Sequence, residues 1–298
     1  RTAGRSPRQT SVPGAAQVNA MTRGKWLAAL CLVPFALFFI VFEIAPLAWV
    51  MINSLESEEF GWGLANFSKI FSSKFYLQAI QYSLEISFWS SLFGILISIL
   101  GAYSLRKVDS RLRDFVNAFA NMTSNFAGVP LAFAFIILLG FNGSITIMLK
   151  QAGIIQDFNL YSKTGLILLY TYFQIPLMII IFLPAVDSIR PQWREATESL
   201  GGNTFQYWTR VAGPILAPRF ISAFLLLFAS AFSAYATAAA LFSQRSILVP
   251  LMIQGAMRNE MDPNQQGFAQ VLAFAMIVVV AVVMMISHAV EKRAGRWQ

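Results

Sequence analysis

Residues 191–218 read PQWREATESLGGNTFQYWTRVAGPILAP, a largely polar stretch between two long apolar runs. Pro191 suits the first position of a helix, where its missing N–H is not needed, and Gly201 with Gly202 provides a helix stop. The residues between them make about 15 Å of helix, which is too short to be stable alone. The sequence therefore predicts a short helix outside the membrane that is held by other elements and docks a soluble partner.

The side chains of this helix separate onto two faces. The apolar face, at the i, i+3, i+4, i+7 spacing, consists of Trp193, Ala196, Thr197 and Leu200. The charged residues that project from the other side are Arg194, Glu195 and Glu198. This mixture of charges favours a protein partner over lipid headgroups, because helices that lie on membranes are usually more basic.

A second short helix is predicted immediately after the first. Asn203 can cap its start while Gln206, three residues later, reaches back to the N–H of Asn203, which is the capping-box pattern. The apolar face of this helix consists of Phe205, Trp208, Val211 and Ala212. Pro214 and Pro218 are predicted to end it before the next membrane span.

The whole chain has the composition of an integral membrane protein. Of its 298 residues, 57% are hydrophobic and only 12% are charged, and the mean hydropathy is +0.60. A soluble core of this length could not bury so much apolar surface. Apolar runs of about 20 residues are long enough to cross a bilayer. Six such spans are predicted, over residues 26–52, 84–105, 115–141, 164–186, 220–243 and 268–288.

The basic residues predict the orientation in the membrane. The net charge is +8, and most lysines and arginines fall in segments that would share a side with the N-terminus. The positive-inside rule therefore places both termini and the segment 190–218 in the cytoplasm. Because these charges flank the spans and form no continuous patch, nucleic-acid binding is not expected. Residues 1–20, which are polar and rich in arginine, are predicted to be a disordered extension of a membrane domain over residues 21–298.

The stretch quoted first resembles a known motif. Glu195, Ala196 and Gly201, followed at the right spacing by Val211 and Pro214, are similar to the cytoplasmic EAA loop of permease subunits in binding-protein-dependent ABC importers. Three residues depart from the usual alanine, isoleucine and leucine of that loop, namely Thr197, Val211 and Gly213. Residues 63–67, 82–84 and 101–106 resemble further segments of the same family.

The resemblance implies an all-α integral membrane fold, the six-helix bundle of a type I ABC importer permease with a cytoplasmic coupling helix. It implies a bacterial inner-membrane protein that works with an ABC ATPase dimer, a second and homologous permease subunit, and an extracytoplasmic solute-binding protein. The residues expected to contact the ATPase are Arg194, Glu195, Ala196, Glu198, Gly201 and Asn203.

Catalytic and metal sites are not predicted in this chain. It has one histidine, His288, and one cysteine, Cys31, and no cluster with metal-ligand spacing. Gly24-Lys25 lacks the earlier glycine and the following hydroxyl residue of a phosphate-binding loop. The chain is therefore not expected to be an enzyme or to hold a cofactor, and ATP and magnesium are expected on the partner ATPase.

Polar side chains inside spans are costly and usually face a cavity or another helix. The candidates for the solute path are Tyr170, Tyr172, Gln174, Ser233, Tyr235 and Thr237. Small residues around Ala231–Ala240 favour close helix packing in the fifth span. Glu43 and Glu85 are expected near the outer interface rather than at a central site, because each lies close to the outer end of its predicted span.

The branch of the family that the chain resembles implies a small polar solute, with a polyamine such as spermidine or putrescine as the first candidate. Phosphonate, sulfate and iron are the alternatives within the family. An ion-coupled secondary carrier remains an alternative from another class, and a membrane-embedded enzyme is a third, although no convergent catalytic set is present.

Overall fold

The computed structural model describes residues 30, 32–57, 61–105, 108, 110–155, 158–242, 248–258 and 263–294. The predicted extension over residues 1–20 lies outside the described residues, as does Cys31. The chain forms two compact units, Arg1–Asn53 and Ser54–Gln298. The first unit contains helix α1 (Leu32–Asn53), in which Ile40–Ile44 form a wider π-helical turn.

The second unit is almost entirely helical. Its only described strands, β1 (Glu56–Ser57) and β2 (Gly61–Trp62), pair in an antiparallel hairpin. Its helices are α2 (Ala65–Ser72), α3 (Lys74–Leu105), α4 (Ser110–Ser124), α5 (Val129–Leu139), α6 (Ser144–Gln151), α7 (Lys163–Asp187), α8 (Pro191–Ser199), α9 (Thr204–Ser233), α10 (Ala236–Leu241), α11 (Val249–Arg258) and α12 (Pro263–Ala294).

Six helical stretches of the described chain are long and apolar enough to cross a membrane. They are Leu32–Asn53, Lys74–Leu105, Val129–Gln151, Lys163–Asp187, Thr204–Ser233 and Gly267–Lys292. The all-α membrane fold with six spans is therefore confirmed. The first, second, fourth and sixth stretches overlap the predicted spans, although the second begins earlier than predicted.

The prediction of one helix over residues 115–141 is wrong. Helix α4 ends at Ser124, and α5 begins at Val129 after Gly128, whose φ is +91°. Several side chains near the end of α4 bond to carbonyls of their own helix, namely those of Asn121, Thr123, Ser124 and Asn125. Such bonds compete with the helical ladder, and Pro130 then starts a new helix at its first turn.

The predicted fifth span, over residues 220–243, also differs. Helix α9 starts at Thr204 and passes through Pro214 and Pro218, which were expected to end a helix. It does so because a π-helical turn over Trp208–Ala212 precedes Pro214, which then lies in the first turn of the following α-helical part. The helix instead ends at Ser233, and α10 restarts two residues later.

Helices α3 and α7 make the most extensive contact in the bundle. The α3 side of this contact is a stripe of buried small residues, which includes Ser83, Ser87, Ser90, Gly94 and Ser98. A Cβ atom on Gly94 would lie 3.1 Å from the Cβ of Gln174. Because small residues allow close approach of two helices, this stripe fixes the distance between the second and fourth spans.

Other helices of the second unit pack around that pair. Helix α9 contacts α3, α7 and α12, while α4 packs against α7 and α5 packs against α10. Ser222 of α9 donates a hydrogen bond of 3.1 Å to the carbonyl of Ser287 of α12. The end of the bundle at which α7 passes into α8 is called the α8 end below.

Candidate coupling segment and solute path

Helix α8 begins and ends at the predicted residues. Pro191 occupies its first turn. At the other end the N–H of Gly202 donates to the carbonyl of Thr197 (2.9 Å), and the N–H of Gly201 donates to the carbonyl of Glu198 (3.0 Å). These two bonds form a Schellman motif. Gly201 has a φ of +76°, a conformation that a side chain would strain, so the predicted glycine stop is confirmed.

The predicted capping box is also confirmed. The side chain of Asn203 accepts a hydrogen bond from the N–H of Gln206 (2.8 Å), and the side chain of Gln206 accepts one from the N–H of Asn203 (3.0 Å). Helices α8 and α9 are thus joined by a four-residue turn that is hydrogen-bonded to the end of α8 and to the start of α9. Residues 200–205 are called the tip below.

The apolar faces differ from the prediction at the tip. Leu200 is 89% exposed and Phe205 is 74% exposed, although the helical spacing assigns both to buried faces. The reason is that Leu200 caps the helix rather than continuing it, and that Phe205 lies in the first turn of α9. Trp193 and Trp208, farther from the turn, do pack against the core cluster at the α8 end.

The charged residues of α8 lie on its exposed side, as predicted. The Nε atom of Arg194 donates to Oε1 of Glu198 at 2.9 Å, one helical turn away. This hydrogen bond, and then the charge of Glu198, raise the pKa of Arg194 above its usual range. A cleft of about 270 Å³ runs beside this pair and is lined by Tyr103, Pro191, Arg194, Glu195, Glu198, Tyr207 and Trp208.

The corner between α7 and α8 is fixed by contacts with other spans. Arg113 of α4 forms an ion pair with Asp187, the last residue of α7. Arg219 of α9 donates a hydrogen bond of 2.9 Å to Oγ of Ser188. Ile189 is fully buried in the core cluster at the α8 end. The corner is therefore held by contacts with α4, with α9 and with the core cluster at the α8 end.

Three of the predicted path residues are buried within the protein. The hydroxyl of Tyr170 donates to the carbonyl of Ala234 at 2.9 Å, and the Nε2 atom of Gln174 donates to Oγ of Ser90 at 2.9 Å. Thr237 is buried in α10. The Tyr170 and Gln174 side chains join helices in the structure, and all three residues are buried within this chain.

The other three path residues are exposed. They are Tyr172, Ser233 and Tyr235. Ser233 and Tyr235 flank Ala234, where the backbone leaves the helical conformation between α9 and α10. This break lies beside the turn between α4 and α5, because a Cβ atom on Gly128 would be 3.6 Å from the Cβ of Ala236. Non-helical backbone at membrane depth is tolerated where it is buried or lines a cavity.

Glu85 is not a free carboxylate in the structure. It forms an ion pair with Lys163, the first residue of α7, and accepts a hydrogen bond of 2.8 Å from Nε2 of Gln81. The ammonium group of Lys163 also lies 5.2 Å from the centre of the Tyr82 ring. Glu85 therefore ties the second span to the fourth at the end opposite α8.

Sequence reasoning missed Leu200 and Phe205 as exposed residues, and it missed Arg113, Asp187 and Arg219 as a group. One signal was available for Asp187. A carboxylate at the C-terminus of a helix opposes the helix dipole, so its presence there indicates an interaction with another element. The two apolar residues carried no comparable signal.

Comparisons with known proteins agree with this architecture. Residues 93–296 match the family model described as binding-protein-dependent transport system inner membrane component. The chain is 27% identical over 219 residues to the sn-glycerol-3-phosphate transport system permease protein UgpA of Escherichia coli O6:K15:H31, which covers 69% of this chain and 72% of that protein. It is 22% identical over 235 residues to the spermidine/putrescine transport system permease protein PotB of Haemophilus influenzae, which covers 78% of this chain and 81% of that protein.

The fold is also similar to that of a solved structure. A chain of a bacterial alginate ABC transporter, in complex with a periplasmic protein that binds an alginate pentasaccharide, superposes with a TM-score of 0.69 at 19% identity. The match covers 91% of this chain and 96% of that chain. The family match extends over more than half of the residues and includes α8 and its glycine stop. The chain belongs to the inner-membrane permeases of binding-protein-dependent type I ABC importers.

Proposed function

We propose that this chain forms half of the membrane path of an ATP-driven importer, and that α8 and the tip carry force from the ATPase to the spans. The observation that supports this most is the tip itself. A Schellman motif and a capping box hold its backbone, while the side chains of Leu200 and Phe205 are exposed on the surface of the chain. Large apolar side chains at the centre of an exposed polar surface are typical of protein interfaces.

The ATPase contact extends from the tip along α8. Arg194, Glu195 and Glu198 supply charge around the two apolar residues, while Ala196 and Gly201 allow close approach, and Asn203 holds the turn. ATP and magnesium are bound by the ATPase dimer. In this arrangement the α8 end and both termini face the cytoplasm, in agreement with the distribution of basic residues.

The rest of the assembly follows from the family. A second permease, homologous to this one, completes the path, and an extracytoplasmic binding protein delivers the solute. Tyr172, Ser233 and Tyr235 line this chain's share of the path beside the break at Ala234. Alternating access then moves largely rigid bundles around this region.

A polyamine such as spermidine or putrescine is the first candidate solute, because PotB is similar over most of both chains. Glycerol phosphate is the second, because UgpA is similar to a comparable extent. Uptake into vesicles should be measured with radiolabelled spermidine, putrescine and sn-glycerol 3-phosphate, in the presence of the binding protein and ATP. Uptake of glycerol phosphate alone would reject the polyamine assignment, and uptake without ATP would reject the importer in favour of an ion-coupled carrier.

The docking role of the tip is tested by co-purification. Leu200→Ser and Phe205→Ser should each reduce the amount of ATPase that co-purifies with the tagged chain from its own membranes, while the amount of inserted chain stays unchanged. Leu64→Ser is the matched control, because Leu64 is 66% exposed in the turn before α2, away from the tip. Undiminished ATPase in both tip variants would reject the proposed interface.

The orientation is tested separately. In a Cys31→Ser background, Ser199→Cys should react with an impermeant maleimide in inside-out vesicles and not in intact spheroplasts. The opposite pattern would place the α8 end outside and would exclude a cytoplasmic ATPase contact.

A further inference from the structure

The corner between α7 and α8 leaves little freedom for the two helices to move independently. Only the three residues 188–190 separate the last residue of α7 from the first of α8. The Ser188 hydroxyl donates to the carbonyl of Ala185 at 2.7 Å and accepts from Arg219 of α9. Ile189, in the middle of the link, is 1% exposed. A displacement of α8 must therefore displace the end of α7.

The charges at the two ends of α7 oppose the helix dipole. The positive end of a helix is its N-terminus, yet α7 begins with Lys163, and its negative C-terminus carries Asp187. Each of these residues pairs with a different helix: Lys163 with Glu85 of α3, and Asp187 with Arg113 of α4. Stability of α7 alone does not explain these charges, whereas the contacts between spans do.

The Arg113–Asp187 pair is poorly suited to stabilise the fold. Its side chains are 31% and 36% exposed, and ion pairs with this exposure contribute little to folding because water screens them. The pair matters for the elements that it connects rather than for the stability that it adds. It connects the start of α4 to the corner that bears α8, and α4 leads through the turn at residues 125–128 to α5, which packs on α10 beside the break at Ala234.

We propose that Arg113 and Asp187 form a coupling strut, which transmits the movement of α8 to α4 and so to the turn between α4 and α5 and to the break between α9 and α10. Both are positioning residues, because neither touches solute or nucleotide. The Arg219–Ser188 hydrogen bond supports the same corner from α9. This inference rests on the proposed function, since it requires that an ATPase moves α8.

The test uses the importer complex that co-purifies with the tagged chain. Ser233→Cys in a Cys31→Ser background reports on the region of the break, and its rate of reaction with N-ethylmaleimide is measured with and without magnesium-ATP and vanadate. Trapped nucleotide should change this rate in the reporter chain. Asp187→Asn should retain the ATPase and its hydrolysis but lose the nucleotide-dependent difference in labelling.

Two further variants separate the strut from a general loss of structure. The double variant Arg113→Asp with Asp187→Arg exchanges the two charges, so that an ion pair can form again, and it should restore the labelling difference. Asp114→Asn removes a carboxylate next to Arg113 on the same exposed helix and should leave the difference intact. Labelling differences that persist in Asp187→Asn, or that the exchange fails to restore, would overturn the strut.

The outcomes also distinguish the strut from the function on which it rests. If Asp187→Asn loses the ATPase altogether, Asp187 acts in docking and the strut is rejected. If the unmodified chain neither retains an ATPase nor responds to nucleotide, the proposed function itself fails.

Discussion

The hydroxyl of Tyr170 donates a hydrogen bond of 2.9 Å to the backbone carbonyl of Ala234, at the point where the fifth span stops being helical. Tyr170 is 1% exposed, so this bond is shielded from water. A helix that breaks inside a membrane leaves carbonyl groups without partners, and each such group is costly there. The fourth span therefore supplies a hydrogen-bond donor for the backbone where the fifth span ends.

Removal of that donor should weaken the bundle. Tyr170→Phe removes the donor to the partly buried Ala234 carbonyl, which costs about 0.5–1.5 kcal/mol, and should lower the melting temperature of the purified protein in detergent. Tyr172→Phe is the control, because Tyr172 is exposed and phenylalanine keeps the ring that contacts Phe135. Equal melting temperatures for Tyr170→Phe and the wild type would contradict this role.

A side chain at Gly94 should destabilise the contact between the second and fourth spans. Gly94→Ala places a Cβ atom 3.1 Å from the Cβ of Gln174, and overpacking of this kind costs about 1–3 kcal/mol. Gly101→Ala, in the same helix, meets only the Cδ1 atom of Ile179 at 3.9 Å and should be neutral. Thermal unfolding of both variants checks the prediction, which fails if the two are destabilised alike.

The cost of replacing Gly201 should depend only on how well the new residue adopts the backbone conformation of the turn. At a φ of +76° a Cβ atom meets no neighbour but is strained, and Gly201→Val should cost about 1–2 kcal/mol locally. Gly201→Asn should be milder, because asparagine accepts left-handed conformations. Hydrogen exchange of the amides of α8 measures the difference, with faster exchange expected for valine, and similar protection in both variants would show that the turn is not strained.

The ion pair at the opposite end of the bundle should add little stability. Glu85 and Lys163 are each about one third exposed, so Glu85→Gln and Lys163→Gln should each cost less than about 1 kcal/mol. Because both variants remove the same pair, the double variant should unfold at nearly the same temperature as either single one. A much larger additive loss would mean that each residue acts separately.

Much of the coupling segment could be predicted from residues close together in the chain. Proline at the start of α8, the glycine stop and the capping box act over five residues or fewer, so local chemistry is enough to place them. The number of spans could be predicted for a similar reason, because a bilayer requires about 20 apolar residues whatever their neighbours are. The breaks near Gly128 and Ala234 could not be predicted in this way, because apolar composition does not reveal where a helix is interrupted.

The sequence by itself determined the class of the protein, the number of its spans and the ends of the short helix that carries the family motif. Only the tertiary structure decided that Tyr170 and Gln174 join helices, that Leu200 and Phe205 are exposed, and that Arg113 forms an ion pair with Asp187. The physical reason is distance along the chain. Caps, turns and apolar length depend on adjacent residues, whereas burial, exposure and ion pairing depend on partners that lie tens of residues away.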